Sequence, residues 1–201
     1  MSYNIEQIEK AVKSKGYKWF ENGDYNVNIV GVRNSSTDNE VTNKFDDWMT
    51  ISYKVNGEWN FHCYDCTTDP GKYWVDNLMN PDGVAIVVPG QYRGSHKIRK
   101  HQGKYDALCQ QKPIKVWRDD NEDNIYDHIA DDVQDGIFGI NIHRATRYPD
   151  RKSTQVDKWS AGCQVIAAYN DFEEFMNVMY KARDAWSNSF TYTLITSNDI
   201  V

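Results

Sequence analysis

The chain reads as an α+β protein built on a mixed or antiparallel sheet. Two observations predict it: apolar residues recur at every second position in several separate runs, and one amphipathic helical stripe lies near each end. The 201 residues suit a single domain, residues 1–201, burying roughly 70% of its unfolded surface.

The elements follow in order. Asn4 opens a helix within residues 1–18: Gln7 completes a capping box, Ile5, Ile8 and Val12 share a face, and Gly16 stops it. Alternation then marks strands at Tyr25, Val27 and Ile29, at Met49 to Val55, and at Trp59, Phe61 and Cys63. Val84 to Val88 is a buried strand ended by Pro89-Gly90, and Ile114–Arg118 and Ile137–Ile142 are two more. Asn170 opens the clearest helix, with Glu173 as its capping partner and Phe172, Phe175, Met176, Met179 and Trp186 as its inner stripe. Phe190 to Thr196 closes the sheet.

Composition excludes several classes. With 23 Lys+Arg against 29 Asp+Glu, a net charge of −6 argues against a nucleic-acid partner. No apolar run reaches the ~20 residues of a membrane span, so no membrane insertion is expected. Met1 to Gly16 alternates Glu and Lys without an apolar signal core, so synthesis in the cytoplasm without a signal peptide is expected. Seven Trp and 13 Tyr suit a wet or sugar-facing cleft.

The sharpest chemical feature is Ser160-Ala161-Gly162-Cys163, twenty residues after His143. A cysteine nucleophile needs a base or an electropositive setting, and here a histidine ends one strand while a Gly-Cys turn follows a polar loop. Gly162 leaves room for a substrate carbonyl, and backbone N–H groups at such a turn can form an oxyanion hole. Between Asn141 and Ser160 stand five basic residues, Arg144, Arg147, Arg151, Lys152 and Lys158, against Asp150 and Asp157. That excess should favour a thiolate and draw carboxylate-bearing substrates. A thiolate at Cys163 should alkylate quickly near neutral pH.

His143, a loop, Ser-x-Gly-Cys, an amphipathic helix and a last strand together resemble the catalytic end of the L,D-transpeptidase family, over residues 136–196. Thr67-Thr68-Asp69-Pro70-Gly71-Lys72-Tyr73 is faintly similar to that family's Thr-Pro-Thr-Gly loop. The resemblance implies an L,D-transpeptidase-like fold with Cys163 as nucleophile, His143 as general base, and Ser160 and Gly162 framing the turn. It implies bacterial peptidoglycan as partner, Arg144, Arg147, Lys158 and Trp159 as its contacts, no metal or organic cofactor, and action as a monomer. Ala161 stands where the family has a second His, and Val165 where it usually has Arg. The expected activity is therefore hydrolysis of a stem-peptide amide, as in phage lysis enzymes or injected antibacterial effectors. The alternatives are a non-catalytic wall-binding or phage structural module and a true transpeptidase.

Other features read as structural. Cys63-Tyr64-Asp65-Cys66 with His96 and His101 could make a zinc set, but one C-x-x-C is a weak signal and Cys63 alternates with Trp59 and Phe61. Asp119 to Asp135 carries eight acids and no Lys or Arg. Asp119, Asn121 and Asp123 begin like a calcium loop, yet Asn124 stands where Gly is needed and Ala130 where Glu is, so a solvated acidic loop is expected. The basic stretch from Arg93 to Lys104 reads as a solvated loop, the second reading being that it lines the same cleft as His143 and grips an anionic wall polymer with His101 or His96 as the next candidate base; Cys109 reads as a buried thiol.

Overall fold

A computed structural model describes residues 3–37 and 39–200. In chain order its elements are α1 (Ile5–Ser14), β1 (Asn28–Arg33), β2 (Asp47–Val55), β3 (Glu58–Thr67), α2 (Lys72–Val75), β4 (Val84–Val87), β5 (Gly90–His101), β6 (Tyr105–Gln110), β7 (Ile114–Asp119), β8 (Val133–Gly136), β9 (Ile142–Arg144), β10 (Gln164–Ile166), α3 (Tyr169–Ala185) and β11 (Phe190–Thr196). Eight strands close a mixed barrel in the order β1-β11-β5-β6-β9-β10-β3-β2, and β4-β7-β8 form a small sheet beside it. The pairs β1/β11 and β9/β10 are parallel; the remaining barrel pairs are antiparallel.

β1 is buried along its whole length, because apolar layers cover both faces. On one side Ile29 joins Met49, Ile51, Leu194 and the α3 stripe Phe172, Phe175, Met176 and Met179. On the other, Val30 and Val32 meet Ile8, Ala11 and Val12 of α1. Asn4 caps α1 as expected: its side chain accepts from the Gln7 N–H at 2.9 Å, and Gln7 Oε1 accepts from the Asn4 N–H at 3.0 Å. The helix ends at Ser14, short of residue 18.

Four expectations change. α3 starts at Tyr169 with no side-chain cap, because the Asn170 amide instead bonds Asp150 at 2.7 Å and ties the 144–160 loop to the helix. Trp186 is 55% exposed and lies outside the stripe. The strand expected at 137–142 is confined to Ile142–Arg144: Gly139 has φ +76, and the Phe138 and Ile140 N–H groups donate to Gln110 Oε1 rather than to a neighbouring strand. The basic stretch is no loop. It forms β5, paired with β6 from His96/Gln110 to His101/Tyr105, with His96 and Ile98 buried and Arg99 and Lys100 outward. β3 places Cys66 in the main core and, by its alternation, turns Cys63 to the opposite face.

Candidate active site

Cys163 immediately precedes β10 and His143 is the middle residue of β9, adjacent parallel strands whose register pairs Val165 with His143. The Cys163 sulfur accepts from the Asn141 N–H at 3.5 Å and donates to the Gly139 carbonyl at 3.4 Å. His143 Nδ1 donates to the Arg144 carbonyl at 2.9 Å, which leaves the lone pair on Nε2. A backbone carbonyl thus orients this ring.

A second imidazole arrives from an unexpected place. His101, at the end of β5, stacks on His143 with ring centroids 4.2 Å apart. The Asn141 amide donates to His101 Nδ1 at 3.1 Å, its orientation set by the Gln110 N–H bonded to Asn141 Oδ1 at 2.9 Å. Asn141 therefore touches the sulfur through its backbone and the histidine pair through its side chain. The second reading of the basic stretch, that it lines the cleft of His143, holds for His101, Gln102 and Lys104. His96 is elsewhere, buried between Ser95 and the Ile140 carbonyl.

Burial, and then the neighbouring His101, push His143 down to about 3 despite the Arg144 and Trp159 carbonyls, so the ring is neutral at physiological pH. Burial pushes the Cys163 thiol up to about 11, against the opposing pull of the Asn141 N–H. The rest state is a neutral thiol beside neutral imidazoles, which replaces the expected thiolate. The thiolate fraction below its pKa grows tenfold per pH unit, so Cys163 alkylation by iodoacetamide should be slow at pH 7. It should quicken about tenfold per unit toward pH 10. Mass mapping of the modified cysteine against pH checks this, and a plateau near pH 7 would refute it.

The turn is built from behind. Ser160 is buried, its hydroxyl donating to the Cys163 carbonyl at 2.7 Å and accepting from the Gly162 N–H at 3.1 Å. Gly162 therefore shapes the turn, its N–H already committed, while the Cys163 N–H has no partner among the described residues. Gly162 has φ +136, and a Cβ there would stand 2.5 Å from the Ala85 carbonyl. The Thr67–Tyr73 loop buttresses the turn: the Gly71 N–H donates to the Ser160 carbonyl at 2.8 Å. Arg33 pairs with Asp69 at 2.9 Å, and Asp47 accepts from Thr68, holding that loop from beneath. Gln164 donates to the Thr68 and Gly162 carbonyls and accepts from the Tyr192 hydroxyl at 2.6 Å. Tyr192 in turn occupies the space a Gly31 side chain would need, its hydroxyl 2.1 Å from where that Cβ would be.

Cys163, His101 and His143 open onto a cleft of about 1500 Å³. Its lining includes Lys104, Arg118, Arg144, Arg147 and Lys158 and no Asp or Glu, although the whole chain carries −6. Met79, Ile137, Tyr148 and Trp159 line it too and are exposed. Arg144 is partly committed, lying 4.2 Å from the Tyr105 ring centroid and 3.4 Å from Glu173. Lys158 packs over Tyr73, and Arg147 bonds the Tyr148 hydroxyl. Ala161 lines the cleft, whereas Val165 is fully buried in β10. No helix among the described residues is long and apolar enough to cross a membrane. The chain matches no protein-family model, no curated protein and no solved structure.

Proposed function

We propose that the chain is a cysteine peptidase of L,D-transpeptidase-like character that hydrolyses an amide bond in the peptide stem of bacterial peptidoglycan. The observation that carries this reading is Cys163 on a long basic cleft shared with a base-form His143. A cleft of about 1500 Å³ exceeds the roughly 300–1,000 Å³ of small-molecule pockets and suits a polymer. Five cations without a carboxylate favour a substrate bearing free carboxylates, as stem peptides do, and exposed Trp159 and Tyr148 offer faces for sugar rings.

In this mechanism His143 Nε2 takes the Cys163 proton and the sulfur attacks the amide carbonyl. The Cys163 N–H holds the oxyanion, the C–N bond breaks, and the amine leaves with the proton from His143. Water then resolves the thioester. The sulfur's partners are Asn141 and Gly139 before substrate arrives, so binding has to bring ring and sulfur together; catalytic hydrogen bonds commonly tighten only in the complex.

Hydrolysis is favoured over transfer because Ala161, which lines the cleft, supplies no polar group to hold an acceptor amine. Digestion of cross-linked muropeptides followed by mass spectrometry is expected to yield shortened stems or separated dimers. Accumulation of new dimers would make the protein a transferase. Binding to intact wall without any mass change would favour a non-catalytic wall-binding module, for which the exposed aromatic rim and the un-ionised thiol speak.

A further inference from the structure

His101 sits on the last rung of the β5–β6 hairpin, opposite Tyr105, and its carbonyl accepts from the Lys104 N–H at 2.9 Å to close the turn. The residue is buried, and its ring meets two others. The Tyr105 centroid is 5.5 Å away, and the His143 centroid 4.2 Å away with the planes 23° from parallel.

The protons on the two imidazoles follow from partners that can play only one role. A backbone N–H can only donate, so the Asn141 atom that meets the Gln110 N–H at 2.9 Å is its oxygen. The other end of that amide is then the NH₂, which can only donate, and it meets His101 Nδ1 at 3.1 Å. Nδ1 of His101 is therefore an acceptor, and Nε2 carries the proton. In His143 the order is reversed. A carbonyl only accepts, so Nδ1, 2.9 Å from the Arg144 oxygen, carries the proton and Nε2 keeps the lone pair. The two stacked rings stand in opposite tautomers. Because the lone pair of His101 is already engaged, this ring is no second base.

Charge is kept off His101 as well. Protonating Nδ1 would set an N–H against the Asn141 N–H, and Asn141 cannot turn its oxygen inward without abandoning the Gln110 N–H. Burial, and then the Lys104 ammonium in the turn, hold the ring below the ordinary histidine range. The cleft that His101 lines also holds Tyr105, His143, Arg144 and Cys163 and no carboxylate that would favour its cation. A flat neutral ring attracts the imidazolium that forms on His143 when it takes the thiol proton, whereas a charged ring would repel it.

We infer that His101 is a positioning residue for the reaction proposed above: held neutral by Asn141 with no free lone pair, it fixes the ring plane of His143 and leaves His143 Nε2 as the one acceptor in the pair for the Cys163 proton. The role rests on the reading of Cys163 as nucleophile and His143 as base.

The test begins with long-range hydrogen–nitrogen correlation spectra of the full labelled chain near neutral pH, with His101→Gln and His143→Gln assigning the two rings. The nitrogen shifts should place the proton on Nε2 of His101 and on Nδ1 of His143. Asn141→Asp keeps an oxygen for the Gln110 N–H but turns the donor into an acceptor. It should move the His101 proton to Nδ1 and raise the titration midpoint of that ring by about 1 pH unit or more. Muropeptide cleavage supplies the functional half. His101→Ala should lower kcat about 10–100-fold with KM within about threefold of wild type. His101→Phe restores a flat neutral face without any nitrogen and should recover kcat to within about threefold. The wild-type spectra carry the test if His101→Ala fails to fold. A proton on His101 Nδ1, an unchanged kcat in His101→Ala, or an equal loss in His101→Phe would overturn the inference. A wild-type chain inert toward muropeptides would instead overturn the nucleophile-and-base reading beneath it, and that failure shows on the unsubstituted protein, apart from the others.

Discussion

Cys163→Ser is expected to lower stem-peptide cleavage by about a thousandfold or more while leaving the melting temperature within about 2 °C of wild type. The sulfur has two weak partners, the Asn141 N–H and the Gly139 carbonyl, and a hydroxyl can serve both, so the turn keeps its shape. Activity is another matter. A serine hydroxyl is far less acidic than a thiol, and a neutral His143 held by backbone carbonyls has no carboxylate to strengthen it. Release of muropeptide fragments over time, beside a thermal melt of each protein, measures both quantities. A Ser variant within tenfold of the wild-type rate would refute Cys163 as nucleophile. Loss of cleavage together with a collapsed melt would point to a structural thiol.

The second large effect is on stability. Gly162→Ala should cost about 2–4 kcal/mol and lower the melting temperature by about 5–15 °C. Two penalties combine: φ +136 is a conformation that side chains resist, and the new methyl would stand 2.5 Å from a backbone carbonyl and 3.0 Å from the Ala85 Cβ. Ala85 sits in β4, paired with β7 from Val84/Asp119 to Val87/Val116, so it cannot swing aside as a surface side chain could. Calorimetry of the pair decides it. A drop of less than 2 °C would show that the turn relaxes.

Much of this architecture is legible in the residues. The α1 capping box, the strands at Met49–Val55 and Phe190–Thr196, and the stripe of α3 all follow from local chemistry, whereas the joining of Cys163 to His143 rests on the family resemblance of residues 136–196, since spacing alone reads Cys163 as a packed thiol. What escaped has physical causes. β5 escaped as a strand because cations on its outer face mask the buried His96 and Ile98, although His101 stood among the candidate bases. The run from Ile137 to Ile142 has strand composition, but the Gln110 side chain captures the N–H groups a ladder would use. Asp119 looked solvated because its neighbours in sequence are acidic, whereas its burial comes from the fold. The neutral state of Cys163 was equally illegible: counting charges along the loop predicts a thiolate, and only burial reverses it.

The absence of a side chain at Gly31 limits how far the segment that carries Cys163 and His143 can be moved. Residues 136–196 hold Cys163 and His143, the proposed nucleophile and base, and the helix behind them, and look like a cassette that could be grafted onto another scaffold. Yet Tyr192 reaches Gln164, next to Cys163, only because its hydroxyl fills the space that any side chain at residue 31 would claim. That vacancy is supplied by β1, which runs parallel to β11 with Gly31 opposite Leu194. A transplanted cassette would need a host strand of the same register with a glycine at the same level. Any larger residue there would displace Tyr192, then Gln164, and finally the turn that presents the sulfur. The portable unit is the barrel.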